Sequence, residues 1–137
     1  MSPPRSDDTP STRPLLDKLG VKPDSRVALI GDFPDWFHVL LLERAAFIGE
    51  GAPAEPVDLI FLLADTHAEL DLLHDLRHRI EQNGAIWVVS KKGKAATLRD
   101  VDVISAALDA GLVDNKVVSF SETHTSLRSV IRLRDRI

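Results

Sequence analysis

Arg26-Val-Ala-Leu-Ile-Gly-Asp-Phe-Pro-Asp-Trp-Phe37 is the stretch that decides how this chain folds. Arg26 to Ile30 is a short apolar run of the kind that forms a buried strand. Gly31 and Asp32 follow as turn residues, and Pro34 presets a backbone angle suited to the start of a helix. Trp36 and Phe37 open that helix. A strand that passes through a tight turn into a helix is the first unit of an α/β domain. In ligand-binding domains of this kind, bare backbone at that turn approaches the ligand, which calls for two or three glycines. Here Gly31 stands alone.

Working outward, Pro14-Leu-Leu-Asp-Lys-Leu-Gly20 predicts a short helix with proline in its first turn and Gly20 just past its end. Residues 1–13 are rich in proline, serine, threonine and charge, and read as a flexible tail ahead of one domain spanning 14–137. Trp36 to Ile48 carries the helix after the first strand, apolar nearly all round, so a second subunit is one candidate to cover it. Gly49 to Pro56 breaks the pattern. Val57 to Ala64 is a nearly continuous apolar run, as in a central parallel strand buried on both faces.

Thr66 and Glu69 have the spacing of a capping box for a helix to about Gln82, with Leu70, Leu73, Leu76 and Ile80 as its apolar stripe. Asn83-Gly84 ends it, and Ala85 to Ser90 is the next strand. Lys91-Lys-Gly-Lys94 is a basic loop. A helix from about Leu98 to Ala110 should turn Val101, Ile104, Ala107 and Leu108 inward and stop at Gly111. Lys116 to Ser121 and Leu127 to Arg134 are too close in sequence to be anything but an antiparallel hairpin. The expected fold is a three-layer Rossmann-like α/β sandwich, its five-stranded, mostly parallel sheet ending in that hairpin.

At 137 residues the chain suits one domain with a proper core. Its net charge of -4 argues against a general nucleic-acid binder, which would carry a basic face. The absence of cysteine excludes disulfides, thiolate catalysis and cysteine-ligated metal clusters. No apolar run approaches the length of a membrane span, so a cytoplasmic location without membrane association is the expectation.

Three segments resemble the C-terminal half of a class I methyltransferase: Val57-Asp-Leu-Ile-Phe-Leu-Leu63, Asn83-Gly-Ala-Ile-Trp-Val-Val-Ser90 and Gly111-Leu-Val-Asp-Asn-Lys-Val-Val118. That resemblance implies a glycine-rich cofactor turn after the first strand and an acidic residue after the second. The turn Gly31-Asp-Phe-Pro-Asp35 departs from the first requirement. Residues 49–56 leave too little chain for the second and third strands, which are therefore expected to be missing. No cofactor is expected, and S-adenosylmethionine binding in the usual manner is argued against. A wider set of segments is similar to a small bacterial family known as domain of unknown function 3052 (DUF3052). These are Leu15-Leu-Asp-Lys-Leu-Gly-Val-Lys-Pro23 with Arg26-Val-Ala-Leu-Ile-Gly31, Lys91-Lys92, Gly111 to Val117 and Ser126-Leu-Arg128. This second resemblance implies a fold and no established activity.

Ligands of open parallel sheets bind beyond the carboxyl ends of the strands. That rule nominates Gly31, Asp32, Asp65, Thr66, Ser90, Lys91 and Lys92. Glu122, with Thr123 and His124, joins them if the penultimate strand is parallel to the others. Carboxylates and lysines on one rim can hold an anion or move protons, although strand-end loops are polar in any case. His67, Asp71, His74 and His78 form one stripe at helical spacing, with His74 and His78 a weak surface metal pair lacking an enclosing shell. Trp36 and Phe37 either plug the place where a cofactor would bind or line a hollow. The function expected is a non-catalytic binding or interaction module that has lost methyl-donor binding, its partner a second copy, another protein or a small anionic ligand. The alternative is an enzyme for an anionic or nucleotide-like substrate, with Asp32 or Glu122 as base.

Overall fold

The structure, a computed structural model, describes residues 12–136. The proposed tail therefore lies outside the described residues up to residue 11, while Thr12 and Arg13 belong to the first helix. In chain order come α1 (Thr12–Leu19), β1 (Arg26–Ile30), α2 (Asp35–Leu42), β2 (Phe47–Glu50), β3 (Val57–Leu63), α3 (His67–Leu70) and α4 (Leu73–Leu76). After a 3-10 turn come β4 (Ile80–Lys91), α5 (Asp100–Asp109), β5 (Leu112–Ser119) and β6 (His124–Ile131).

The six strands form one sheet in the order β2-β1-β3-β4-β6-β5. β2, β1, β3 and β4 are mutually parallel, and β6 runs antiparallel to both β4 and β5. Helices cover both faces. On one side Leu19 of α1 and Phe37 and Leu41 of α2 pack with Phe61 and Trp87 of the sheet. On the other, Leu70, Leu73, Leu76 and Ala107 pack with Ile60, Ile86 and Leu127. From Leu59 to Leu63 successive residues of β3 alternate between the two cores, which is why the run after Asp58 is apolar at every position. The Trp87 indole N–H donates to the Leu19 carbonyl at 3.0 Å and ties α1 to the centre of the sheet.

The sheet has one strand more than expected. α2 stops at Leu42 instead of Ile48, and Phe47–Glu50 lies along β1 with Arg26 opposite Phe47. A strand does therefore follow the first crossover helix, correcting the expectation that the second strand is missing. From there the chain crosses directly to β3 on the other side of β1.

The single helix expected over 66–82 is replaced by two short helices, a 3-10 turn and the start of β4. Ile80 is extended and pairs with Val57, and the ladder resumes at Leu59 opposite Ala85. Glu81 to Gly84 bulge out between these pairs. Gly84 sits against the backbone of β3, where a Cβ would lie 2.7 Å from the Asp58 carbonyl oxygen. Asn83-Gly84 thus marks a close approach inside β4 and not a helix end. The apolar stripe Leu70, Leu73, Leu76 and Ile80 is nonetheless buried throughout, because the tightened turns keep one face inward.

α5 is rotated from its expected setting. Val103, Ala107 and Ala110 are buried, whereas Val101 and Leu108 are exposed. Asp102 caps the helix start by accepting from the Arg99 N–H at 2.8 Å, and packing in the sheet's core turns the stripe Val103, Ala107 and Ala110 inward. The final hairpin is antiparallel as expected, with its strands displaced to Leu112–Ser119 and His124–Ile131.

Candidate functional site

Because β6 is antiparallel to both its neighbours, β5 runs parallel to β4, and its turn reaches the same rim as the ends of β1, β3 and β4. The rim divides into an aromatic part and a polar part.

The aromatic part begins at Gly31. Its φ of +112° is one that L side chains avoid, and a Cβ there would meet the Leu63 Cβ at 2.7 Å. Glycine is therefore required for β1 and β3 to close together, whether or not a ligand binds. The Phe33 N–H then turns back to the Gly31 carbonyl at 3.2 Å. The Phe33 ring, 3% exposed, lands among Phe37, Phe61 and Phe120 with centroid distances of 5.5, 6.4 and 6.0 Å. Edge and tilted contacts of this kind add to the burial of each ring. Phe37 is fully buried, while Trp36 beside it is 41% exposed and tilted against Phe120 at 5.4 Å.

Between this cluster and the β5–β6 turn lies a hollow of about 250 Å³. Leu63, Phe33, Pro34, Trp36 and Phe120 supply its apolar wall. Asp32, Ser121, Thr123 and His124 supply its polar wall. Ser121 Oγ organises the hairpin turn, accepting from the N–H groups of Thr123 at 3.2 Å and His124 at 3.1 Å. Thr123 Oγ1 lies 2.8 Å from His124 Nδ1.

The polar part is centred on Asp65. Its N–H donates to Glu69 Oε1 at 2.7 Å, and its carbonyl accepts from the Thr97 hydroxyl at 2.6 Å. Thr66 and Glu69 make the capping box foreseen from their spacing. The N–H of Asp65, first among several donors, holds the Glu69 carboxyl below its ordinary range, with burial opposing. Asp65 Oδ2 is 3.9 Å from Lys91 Nζ, whereas its Oδ1 is buried without a partner among the described residues. Lys91 stands opposite His124 in the β4–β6 ladder. Burial depresses the His124 pKa; Asp65 counteracts this, and Lys91 and Lys92 reinforce it.

The nominated residues thus separate into groups. Asp32 lines the aromatic hollow, Gly31 lies against Leu63 just before it, and Asp65, Thr66, Lys91 and Lys92 form the polar rim beside it. Lys92 Nζ donates to Ser119 Oγ at 2.8 Å. Ser90 is buried opposite Thr125 and is not on the accessible rim. Glu122 is exposed at the hairpin turn and does not line the hollow. His74 and His78 are exposed, on α4 and on the 3-10 turn after it. Among the described residues no three His, Asp or Glu side chains converge as a metal site would need. The sequence reading missed Phe33 and Phe120 as the closing pair. The pairing of the hairpin with β4 was the signal that could have brought Phe120 to this rim.

An α/β sheet of this order with a terminal antiparallel hairpin defines a class I methyltransferase-like, Rossmann-like fold. A SAM-dependent methyltransferase from Aquifex aeolicus superposes with a TM-score of 0.61 at 16% identity, covering 93% of this chain and 96% of that one. A ribosomal protein L11 methylase from Lactobacillus delbrueckii subsp. bulgaricus gives 0.65 at 11% identity, over 86% and 75% of the two chains. The magnesium protoporphyrin IX methyltransferase of Synechocystis, with bound SAM, gives 0.63 at 12% identity, over 85% and 74%. At these identities the likeness is one of fold. In sequence, residues 53–132 match the model of the family described as "Protein of unknown function (DUF3052)", and the chain belongs to that family. No curated protein sequence matches the chain.

Proposed function

We propose that this protein is a non-catalytic binding module on a methyltransferase-like frame, its methyl-donor site occupied by its own side chains. The observation that carries the reading is the burial of Phe33 in the turn after β1, packed on Phe37, Phe61 and Phe120. A donor bound in the usual manner needs open backbone at that turn. Displacing a buried phenylalanine to obtain it would cost about 3 kcal/mol of burial alone. The enzyme alternative gains no comparable support: Asp32 and Glu122 are exposed, Lys91 faces Asp65, and Lys92 is bonded to Ser119.

A second copy of the chain is the partner favoured for α2. Val39 and Leu42, one turn apart on that helix, are exposed, Leu42 to 73%. Isolated apolar residues on a surface are ordinary, but a pair on one helical face is a dimer contact in miniature. A cytoplasmic location fits this reading. Among the described residues no helix is long and apolar enough to cross a membrane.

Thermal-shift measurements with S-adenosylmethionine, S-adenosylhomocysteine and common nucleotides test the proposal. The expected result is no stabilisation by the methyl donor or its product. A rise of several degrees with either would overturn it.

A further inference from the structure

We propose that the hollow between the β1 turn and the β5–β6 hairpin binds a planar, amino-substituted nitrogen heterocycle of nucleobase size, stacked on Trp36 with its amino group donated to Asp32. The proposal rests on the binding-module reading above and names the chemistry of its small ligand.

Size sets the first limit. About 250 Å³ exceeds the roughly 150 Å³ cavity that accepts benzene, and falls short of the roughly 300 Å³ at which pockets for drug-sized ligands begin. One or two fused rings fill it, so the ligand is the free base, and S-adenosylmethionine, much larger than its adenine, is not accommodated.

Wall chemistry sets the second. A purely hydrocarbon ring would satisfy Leu63, Phe33 and Phe120 but would strip water from Asp32 and the hairpin hydroxyls without replacing it. A small anion would waste the aromatic wall and face the Asp32 carboxylate. Trp36 and Phe120 are tilted by 42°, so both cannot lie flat on one ligand ring. The half-exposed indole of Trp36 provides the open face, leaving Phe120 as an edge contact.

Hydrogen bonding sets the third. Ser121 Oγ already accepts two backbone N–H groups, so its own proton is directed to Thr123 Oγ1, 3.2 Å away. Thr123 can then donate to His124 Nδ1 at 2.8 Å. That relay places the imidazole proton on Nε2, and the depressed pKa of His124 keeps the ring neutral near pH 7. The hollow therefore offers a carboxylate acceptor from Asp32 and an N–H donor from His124. A ligand that matches both must carry a donor and an acceptor on a flat ring, as aminopurines and aminopyrimidines do.

The protein contains its own reporter. Of its two tryptophans, Trp87 is fully buried and Trp36 lines the hollow. Titration of the full chain with adenine, cytosine and unsubstituted purine, followed by tryptophan fluorescence and by calorimetry, tests the assignment. Saturable quenching by adenine or cytosine is expected, with purine bound about tenfold more weakly. Asp32→Asn, a surface change that should leave the melting temperature unaltered, should weaken the amino-substituted rings about tenfold and purine hardly at all. Trp36→Leu should abolish the quenching and reduce the calorimetric affinity. Absence of saturable binding by both amino-substituted rings overturns the proposal, as does equal binding of purine or an unaffected Asp32→Asn variant. If these ligands fail and S-adenosylmethionine also gives no stabilisation, the binding-module reading survives and this ligand class does not.

Discussion

The turns after β1 and β3 sit side by side on one rim, each leads into a helix, and they are built in opposite ways. After β3, hydrogen bonds do the work: Glu69 accepts from the N–H groups of Asp65 and Thr66, and Thr66 Oγ1 accepts from Glu69. The turn stays polar and partly open. After β1, Pro34 caps α2 without any side-chain hydrogen bond, and burial of Phe33 and Phe37 holds the helix start. A turn fixed by capping can leave space above it; a turn fixed by aromatic packing fills that space. In a methyltransferase-like frame the second construction falls where the cofactor turn belongs, and so bears on function.

The contrast predicts unequal sensitivity to mutation. Phe37→Ala should cost about 4 kcal/mol in urea denaturation, because it leaves a cavity among four other rings. A loss below about 2 kcal/mol would mean that packing does not hold the β1 turn. Gly31→Ala should cost about 3 kcal/mol, combining a positive φ with the contact at Leu63. Thr66→Ala, at the other turn, should cost only about 1 kcal/mol, the usual worth of an N-cap. Leu42→Glu should leave stability within about 0.5 kcal/mol while shifting sedimentation toward the monomer.

The smallest effects are pH-dependent and differ between the two parts of the rim. Glu69 has a folded pKa below its usual 4.5, so its contribution is complete above that value. It is lost as pH falls through the lower folded value, and Glu69→Gln should remove that part of the acid sensitivity. His124 has a folded pKa below its usual 6.5, so the unfolded chain takes up the proton first. Stability should be full above pH 6.5 and decline below it, and His124→Gln should flatten that decline in melts recorded across the range.

Much of this contrast was legible in the residues. The apolar run of β3, the Thr66/Glu69 spacing and the short link between the last two strands each depend on local chemistry, and each formed as read. β2 was hidden because Ala45, Ala46, Phe47 and Ile48 extend the apolar pattern of α2, and pairing with β1 decides the outcome. The inward face of α5 is decided by packing of Val103, Ala107 and Ala110 in the sheet's core, which Val101 and Leu108 at helical spacing could not reveal. At the site, the strand-end rule brought Asp65 and Lys91 together. It could not bring Phe120 onto Phe33 and Phe37, a contact set by hairpin register across the whole sheet.

The central claim is that the β1 turn is closed by the protein's own aromatic residues. Its most direct test is the backbone amide spectrum of isotopically labelled protein, followed at Gly31, Asp32 and Phe33 during titration with S-adenosylmethionine. These three amides should stay in place up to millimolar donor. A saturable shift at all three would show that the donor reaches the turn, and would contradict the claim.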